Sequence, residues 1–222
     1  MIQLWHTLLS VLFPLTCRLC KSEITEGVLC ANCRKKYLKI RFLEPSAFDC
    51  PELRGICLLY DYEDVIKELL HDAKFRPSQR KAARLGGEVM QTESLKVIKE
   101  RWHLPDATVA VPIPTSRERI KLRGYELPEK IFHKYIEKNN LAWQDLLYRQ
   151  RATLPQFKLK KNERRKNVQG CFELKSNKCL PRDILLVDDI FTSGATMEEA
   201  AKFLNQRGAN NIWALAFAGG GK

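Results

Sequence analysis

Along the chain, short continuous apolar runs alternate with apolar positions at helical spacing. Ile56 to Tyr60 is one such run and predicts a strand. From about Asp64 to Ala73, Val65, Ile66, Leu69 and Leu70 fall on one side of a predicted helix, and a second helix is predicted from Gln79 to about Glu100. Ala107 to Ile113, bounded by Pro105 and Pro112, reads as a buried strand. A helix follows from about Pro128 to Asn139, with Pro128 tolerated in its first turn. The strand Asp183 to Val187 runs into Asp188 and Asp189, then a loop of small residues, then a helix from Met197 to Gln206 that stops at Gly208. Asn211 to Phe217 supplies a last buried strand, and Gly219 to Gly221 reads as a tail. Strands alternating with helices predict an α/β fold: a mostly parallel sheet with helices on both faces.

The first 45 residues break this pattern. Cys17-x-x-Cys20 and Cys30-x-x-Cys33, nine residues apart, form two pairs with the spacing of a tetrahedral four-cysteine zinc site. All four ligands come from the protein, which leaves no position open for water and points to a structural metal. The expected division is an N-terminal helix and zinc-ribbon-like module over 1–45, a linker over 46–55 and an α/β domain over 56–222. Ahead of the cysteines, Ile2, Trp5, Leu9 and Leu12 share one helical face. This segment is shorter than the roughly 20 apolar residues that span a bilayer. It also lacks the basic leader and cleavage site of an export signal. It reads as a short helix packed on the module or the main domain, with peripheral membrane association as the second reading.

Composition narrows the partners. With 45% hydrophobic residues in 222, the chain can bury a sizeable core. Its 38 basic and 26 acidic residues leave a net charge of +12, which favours anionic partners such as nucleic acid, a phosphorylated small molecule or an acidic membrane. Cys50, Cys57, Cys171 and Cys179 follow no pattern, as expected of thiols acting as small hydrophobes in a reducing cytoplasm.

The strongest chemical signal is the segment from Ile184 to Thr196. A buried strand ending in Asp188-Asp189, followed by Thr192-Ser193-Gly194-Ala195-Thr196 at the start of a helix, gathers backbone N–H groups and hydroxyls around a cavity suited to phosphate. Two carboxylates beside such an anion site suit hydroxyls of the same ligand rather than its phosphate. A ribose 5-phosphate meets both demands, with Mg²⁺ bridging ribose and pyrophosphate oxygens. The plainer alternative is a helix capped by Thr196 with Glu199 completing a capping box. No G-x-x-x-x-G-K-[ST] phosphate loop occurs in the chain.

With that loop in view, the chain resembles the type I phosphoribosyltransferases, and in particular the ComF competence family, which joins a four-cysteine module to this domain. The likeness runs through Cys17, Cys20, Cys30 and Cys33; Lys74-Phe75; Val111-Pro112-Ile113-Pro114; Arg117; Arg123-Gly124-Tyr125; Arg149 to Thr153; Gln156, Leu159, Arg164, Asn167, Gly170 and Phe172; and Leu186 to Thr196. The resemblance implies that 5-phosphoribosyl pyrophosphate (PRPP) is held with Mg²⁺ by Asp188, Asp189 and Thr192 to Thr196. It implies that Thr115, Ser116 and Arg117 form the pyrophosphate loop, with Lys74 nearby. It also implies that Gln150 to Gly170 is a flap from which Arg164 closes on the pyrophosphate. The implied activity is phosphoribosyl transfer with Asp188, Asp189 and Arg164 in catalytic roles. The other implied reading is a non-catalytic, PRPP-responsive competence factor that binds single-stranded DNA and works with DNA-uptake and helicase proteins. A basic run, Lys158, Lys160, Lys161, Arg164, Arg165 and Lys166, would serve that second reading. In one place the chain departs from the family: after Arg123-Gly124-Tyr125 it has Glu126-Leu127-Pro128 where the family has Asn-Gln.

Overall fold

A computed structural model describes residues 14–76, 78–151, 160–176 and 179–220. The apolar segment carrying Ile2, Trp5, Leu9 and Leu12 lies outside the described residues, as do 152–159 of the expected flap. In chain order the elements begin with α1 (Ala31–Tyr37), β1 (Leu38–Leu43), a 3₁₀ turn (Pro45–Phe48) and β2 (Gly55–Asp61). There follow α2 (Asp64–Phe75), α3 (Gln79–Met90), α4 (Ser94–Trp102), β3 (Val109–Pro112), α5 (Arg117–Arg123), α6 (Leu127–Lys138) and β4 (Ala142–Trp143). The last are β5 (Leu147–Arg149), α7 (Lys161–Val168), β6 (Phe172–Leu174), β7 (Asp183–Phe191), α8 (Ala195–Asn205) and β8 (Asn211–Gly219).

Six strands form one sheet in the order β1-β2-β8-β7-β3-β4, parallel throughout except for the antiparallel edge strand β1. The strand–helix alternation predicts this arrangement, because parallel neighbours need crossovers that helices supply. Side chains of the central strands alternate between two cores. Leu185, Val187, Leu215 and Phe217 face α2, α3, α4 and α6, while Ile184, Leu186, Ala214 and Ala216 face α8 and the separate β5–β6 pair. Burial on both faces is why these strands read as unbroken apolar runs.

Two expectations are corrected. The single helix expected from Gln79 to about Glu100 is two, α3 and α4, broken at residues 91–93. Local polar bonds compete with the helix there. Thr92 Oγ1 donates to the Val89 carbonyl at 2.8 Å, and the Leu95 N–H donates to Tyr135 Oη at 2.7 Å. Gly219 is not part of a tail but the last residue of β8, registered between Asp61 and Phe191. A Cβ there would lie 2.5 Å from Leu58 Cδ1, so only glycine lets the three strands close up. The stretch expected to be the cysteine module also supplies β1 to the main sheet, with Leu43 opposite Ile56.

Candidate functional site

Strand β7 continues four residues past the apolar run and carries the acid pair within it, with Asp188 opposite Ala216 of β8. On its other side the Ile113 N–H donates to the Val187 carbonyl at 2.9 Å, so the loop leaving β3 starts beside the acids. Both acids thus stand at the carboxyl end of the parallel sheet, where open α/β sheets bind ligands. Residues 192–194 then turn the chain into α8. Gly194 makes the turn in the left-handed region at φ +76°, and a Cβ on it would lie 2.6 Å from Cys50 Sγ and 3.0 Å from Phe191. The helix starts at Ala195, two residues earlier than the sequence predicts, and Gly194 is its N-cap. Glu199 does not close a capping box: its Oε1 accepts the Gly170 N–H at 2.6 Å, tying the end of the flap region to α8. The first N–H groups of α8 are those that a helix cannot satisfy internally, and they follow Ser193 and Gly194 in the chain.

Around the acids stands a group of cations. Lys74, in the last turn of α2, donates to Asp189 Oδ1 at 2.7 Å. Its position is fixed by the Arg123-Gly124-Tyr125 motif. Arg123 Nε donates to the Lys74 carbonyl at 2.9 Å and Tyr125 Oη to the Ala73 carbonyl at 2.6 Å, which together satisfy the orphan carbonyls ending α2. Gly124 closes α5 in the left-handed conformation, φ +77°. Arg149, at the end of β5, donates through Nε to the Pro114 carbonyl at 2.8 Å and stacks over Phe172. It therefore braces the loop of Thr115 and Ser116, whose serine is buried. Arg117, expected to face a pyrophosphate, is exposed and lies over the Tyr148 ring, 5.6 Å from its centroid. Arg164 sits on α7, and its neighbour Arg165 donates to the Phe48 and Asp49 carbonyls at 2.7 Å each.

Burial and the adjacent Asp189 push the Asp188 carboxyl up to about 8, against the pull of Lys74, the Asp189 N–H and Arg149. That N–H donates to Asp188 Oδ1 at 2.8 Å. Burial also lowers the guanidinium values of Arg119, Arg123 and Arg149, with Asp189 opposing it at the first two and Cys171 and then Asp188 at the third. The field at the site is thus cationic around an acidic centre, suited to a ligand carrying both hydroxyls and phosphates. Glu126, in the place of the family's first amide, is pushed up to about 7 by burial and by Asp145, while the Thr115 backbone N–H and Lys175 pull it down. This chain therefore sets a carboxyl against the loop that the resemblance assigns to pyrophosphate.

Arg119, Arg123 and Arg149 have no role at the acids that the sequence alone predicts. Arg119 and Arg123 are four residues apart on α5, hence on one face, and that spacing directly after the Pro112–Pro114 loop was the available signal. Arg149 gave no such signal, because its place depends on the β5–β6 pairing of segments far apart in the chain.

The four cysteines come together as their spacing predicts. The sulfurs of Cys17, Cys20, Cys30 and Cys33 all lie within 4.8 Å of one another, with Cys20 and Cys30 3.6 Å apart. Zinc–sulfur bonds of about 2.3 Å set tetrahedral sulfurs roughly 3.8 Å apart, so the set fits the ion. Burial raises the Cys17 thiol, but backbone N–H groups of Cys30, Cys20 and Leu19 outweigh it and hold the value down, as in a metal-binding knuckle. Of the remaining cysteines, Cys50, Cys57 and Cys171 are buried and Cys179 is exposed. No described helix is long and apolar enough to cross a membrane.

No family model matches the chain. Among solved structures it is similar to the hypoxanthine-guanine phosphoribosyl transferase of L. donovani, with a TM-score of 0.35, 8% identity, and coverage of 63% of this chain and 68% of that one. A likeness that distant carries no argument. Relatives by sequence are closer. Competence protein F of Haemophilus influenzae is 26% identical, covering 91% of this chain and 90% of its own. The DNA utilization protein YhgH of Salmonella typhimurium is 28% identical, covering 74% and 73%. Competence protein ComFC of Bacillus subtilis is 30% identical over 201 residues, 86% of this chain and 72% of that protein. At that identity and coverage, the chain belongs to the ComF family of competence proteins.

Proposed function

We propose that this protein binds PRPP at the end of β7 and serves the use of incoming DNA in the cytoplasm. One observation carries the reading: a single strand–turn–helix unit places two carboxylates on the strand that leads through the left-handed Gly194 into the N-terminus of α8. The 5-phosphate takes the N–H groups and hydroxyls of 192–196, and the ribose hydroxyls take Asp188 and Asp189. Lys74, Arg119 and the loop of Thr115 and Ser116 face the pyrophosphate. Mg²⁺, when bound with PRPP, would neutralise the pyrophosphate, and Asp188 and Asp189 are the groups placed to hold the ribose oxygens beside it. The relatives' names, competence protein and DNA utilization protein, supply the biological setting.

Two outcomes of binding are in view. In the first, the protein transfers the phosphoribosyl group and releases pyrophosphate, with the cations around the site stabilising the leaving group. In the second, PRPP is an effector and single-stranded DNA is the partner, a reading favoured by the net charge of +12 and by Lys160, Arg164 and Lys166 on or beside α7. Calorimetry with Mg²⁺ and PRPP should show binding in the submillimolar range or tighter, and no saturable binding with PRPP at about 1 mM would remove the shared site. Pyrophosphate release with a panel of nucleobases and oligonucleotides then separates the two. Release supports transfer, and its absence with salt-dependent, PRPP-modulated DNA binding supports the effector role.

A further inference from the structure

Helix α3 reaches into the cysteine module from the main domain. Glu88 is fully buried, and its Oε2 accepts the N–H groups of Val28 and Leu29 at 2.9 Å each. Its Oε1 accepts Arg34 Nε at 2.6 Å and Tyr60 Oη at 3.1 Å. One turn earlier, Arg84 donates to the Thr16 and Gly27 carbonyls at 2.9 Å each. Thr16 directly precedes Cys17, and Leu29 directly precedes Cys30. Each cysteine pair is thus gripped at the residue before its first ligand by a side chain of α3, and Arg34, bonded to Glu88, directly follows Cys33. The approach leaves no slack: a Cβ on Gly27 would lie 2.7 Å from Glu88 Oε2, and one on Gly87 2.7 Å from Glu26 Cγ.

We propose that Glu88 and Arg84 are positioning residues for the zinc site, so that the affinity of the four cysteines for the ion is set by the main domain. A buried carboxylate is costly unless every lone pair is used, and Glu88 meets that condition only when the second cysteine pair is in its ligating geometry. By linkage, whatever Glu88 adds to zinc affinity, bound zinc returns to the stability of the domain carrying Glu88. Module and domain then unfold together rather than as two units. The inference stands on the zinc reading of the four cysteines and not on the PRPP site.

Zinc competition against a chromophoric chelator on the full chain tests it. Metal analysis of the wild type comes first, and a chain purified without zinc overturns the proposal at its base. Glu88→Gln is expected to weaken zinc about tenfold or more, the usual effect of losing an outer-shell support. Arg84→Met, which buries no orphan charge and so spares the fold, is expected to weaken it several-fold. Ile212→Val, in the core on the opposite face of the sheet, controls for general destabilisation and should lower the melting temperature without changing zinc affinity. Chelation of the wild type should shift one cooperative melting transition downward. Zinc affinity within twofold of wild type in both Glu88→Gln and Arg84→Met would overturn the proposal, as would an unshifted melt of the main domain on chelation.

Discussion

The Lys74 ammonium lies 2.7 Å from Asp189 Oδ1, with the two side chains 21% and 9% exposed, and joins the end of α2 to the end of β7. The pair is shielded enough for the loss of one partner to strand the other. Lys74→Met should lower stability by about 1–3 kcal/mol in urea unfolding at neutral pH. Adding Asp189→Asn should restore part of that loss, because the stranded carboxylate is then gone. A double-mutant cycle with a coupling energy near zero would show that the ion pair contributes nothing.

Asp188 is held where its ionised form is disfavoured, at about 8 against an ordinary 3.8, by burial first and by Asp189 second. Between those values the folded chain keeps a proton that the unfolded chain has lost. Stability from this group is therefore complete below the lower value and disappears as pH rises through the higher one. Asp188→Asn, which keeps the Oδ1 that accepts the Asp189 N–H, should unfold like wild type near pH 4. By pH 8.5 it should be the more stable protein by about 1–3 kcal/mol. Parallel urea midpoints across that range would refute the shifted carboxyl. The same variant should bind PRPP poorly, as expected of a functional acid kept at a cost to stability.

The elements of the fold were legible in the sequence where one local rule decided them. Ile184 to Val187 reads as a buried strand because both its faces are covered, and the turn from Asp188 to Thr196 into a helix is legible because its spacing is local. The break between α3 and α4 was not legible, since it depends on Tyr135 arriving from α6 to accept the Leu95 N–H. The place of Gly219 was missed for a similar reason, because a glycine run resembles a tail until Leu58 and Phe191 close over it. At the candidate site, the placement of the acids and Gly194 on one strand–turn–helix unit follows from local sequence, whereas Arg149 and the bonds from Arg123 and Tyr125 to α2 are tertiary contacts with no periodicity to betray them.

Those bonds to α2 give a separable prediction. Tyr125→Phe removes only the hydroxyl that donates to the Ala73 carbonyl at 2.6 Å, leaving a buried acceptor unsatisfied one residue before Lys74. Stability should fall by about 1–2 kcal/mol. If the motif places Lys74, PRPP affinity should also fall severalfold, although Tyr125 contacts no part of the proposed ligand. Affinity that stays constant while stability drops would confine the motif to a structural role.

Gly194 concentrates the demands of the site on one residue. Its φ of +76° lies where a side chain is strained whatever the space, and the space is absent, with Cys50 Sγ 2.6 Å from the place of a Cβ. Gly194→Ala should destabilise the chain by about 2 kcal/mol or more, from backbone strain together with overpacking. Cys50→Ala in the same chain removes the thiol but not the strain, so the double variant should recover only part of the loss. The separation matters for function, because the N–H groups that would hold a phosphate follow directly from this turn. With the thiol removed, any remaining loss of PRPP affinity reports the backbone conformation together with the tight Phe191 contact at 3.0 Å. A double variant with wild-type stability and wild-type affinity would show that the left-handed turn is not what shapes the anion site.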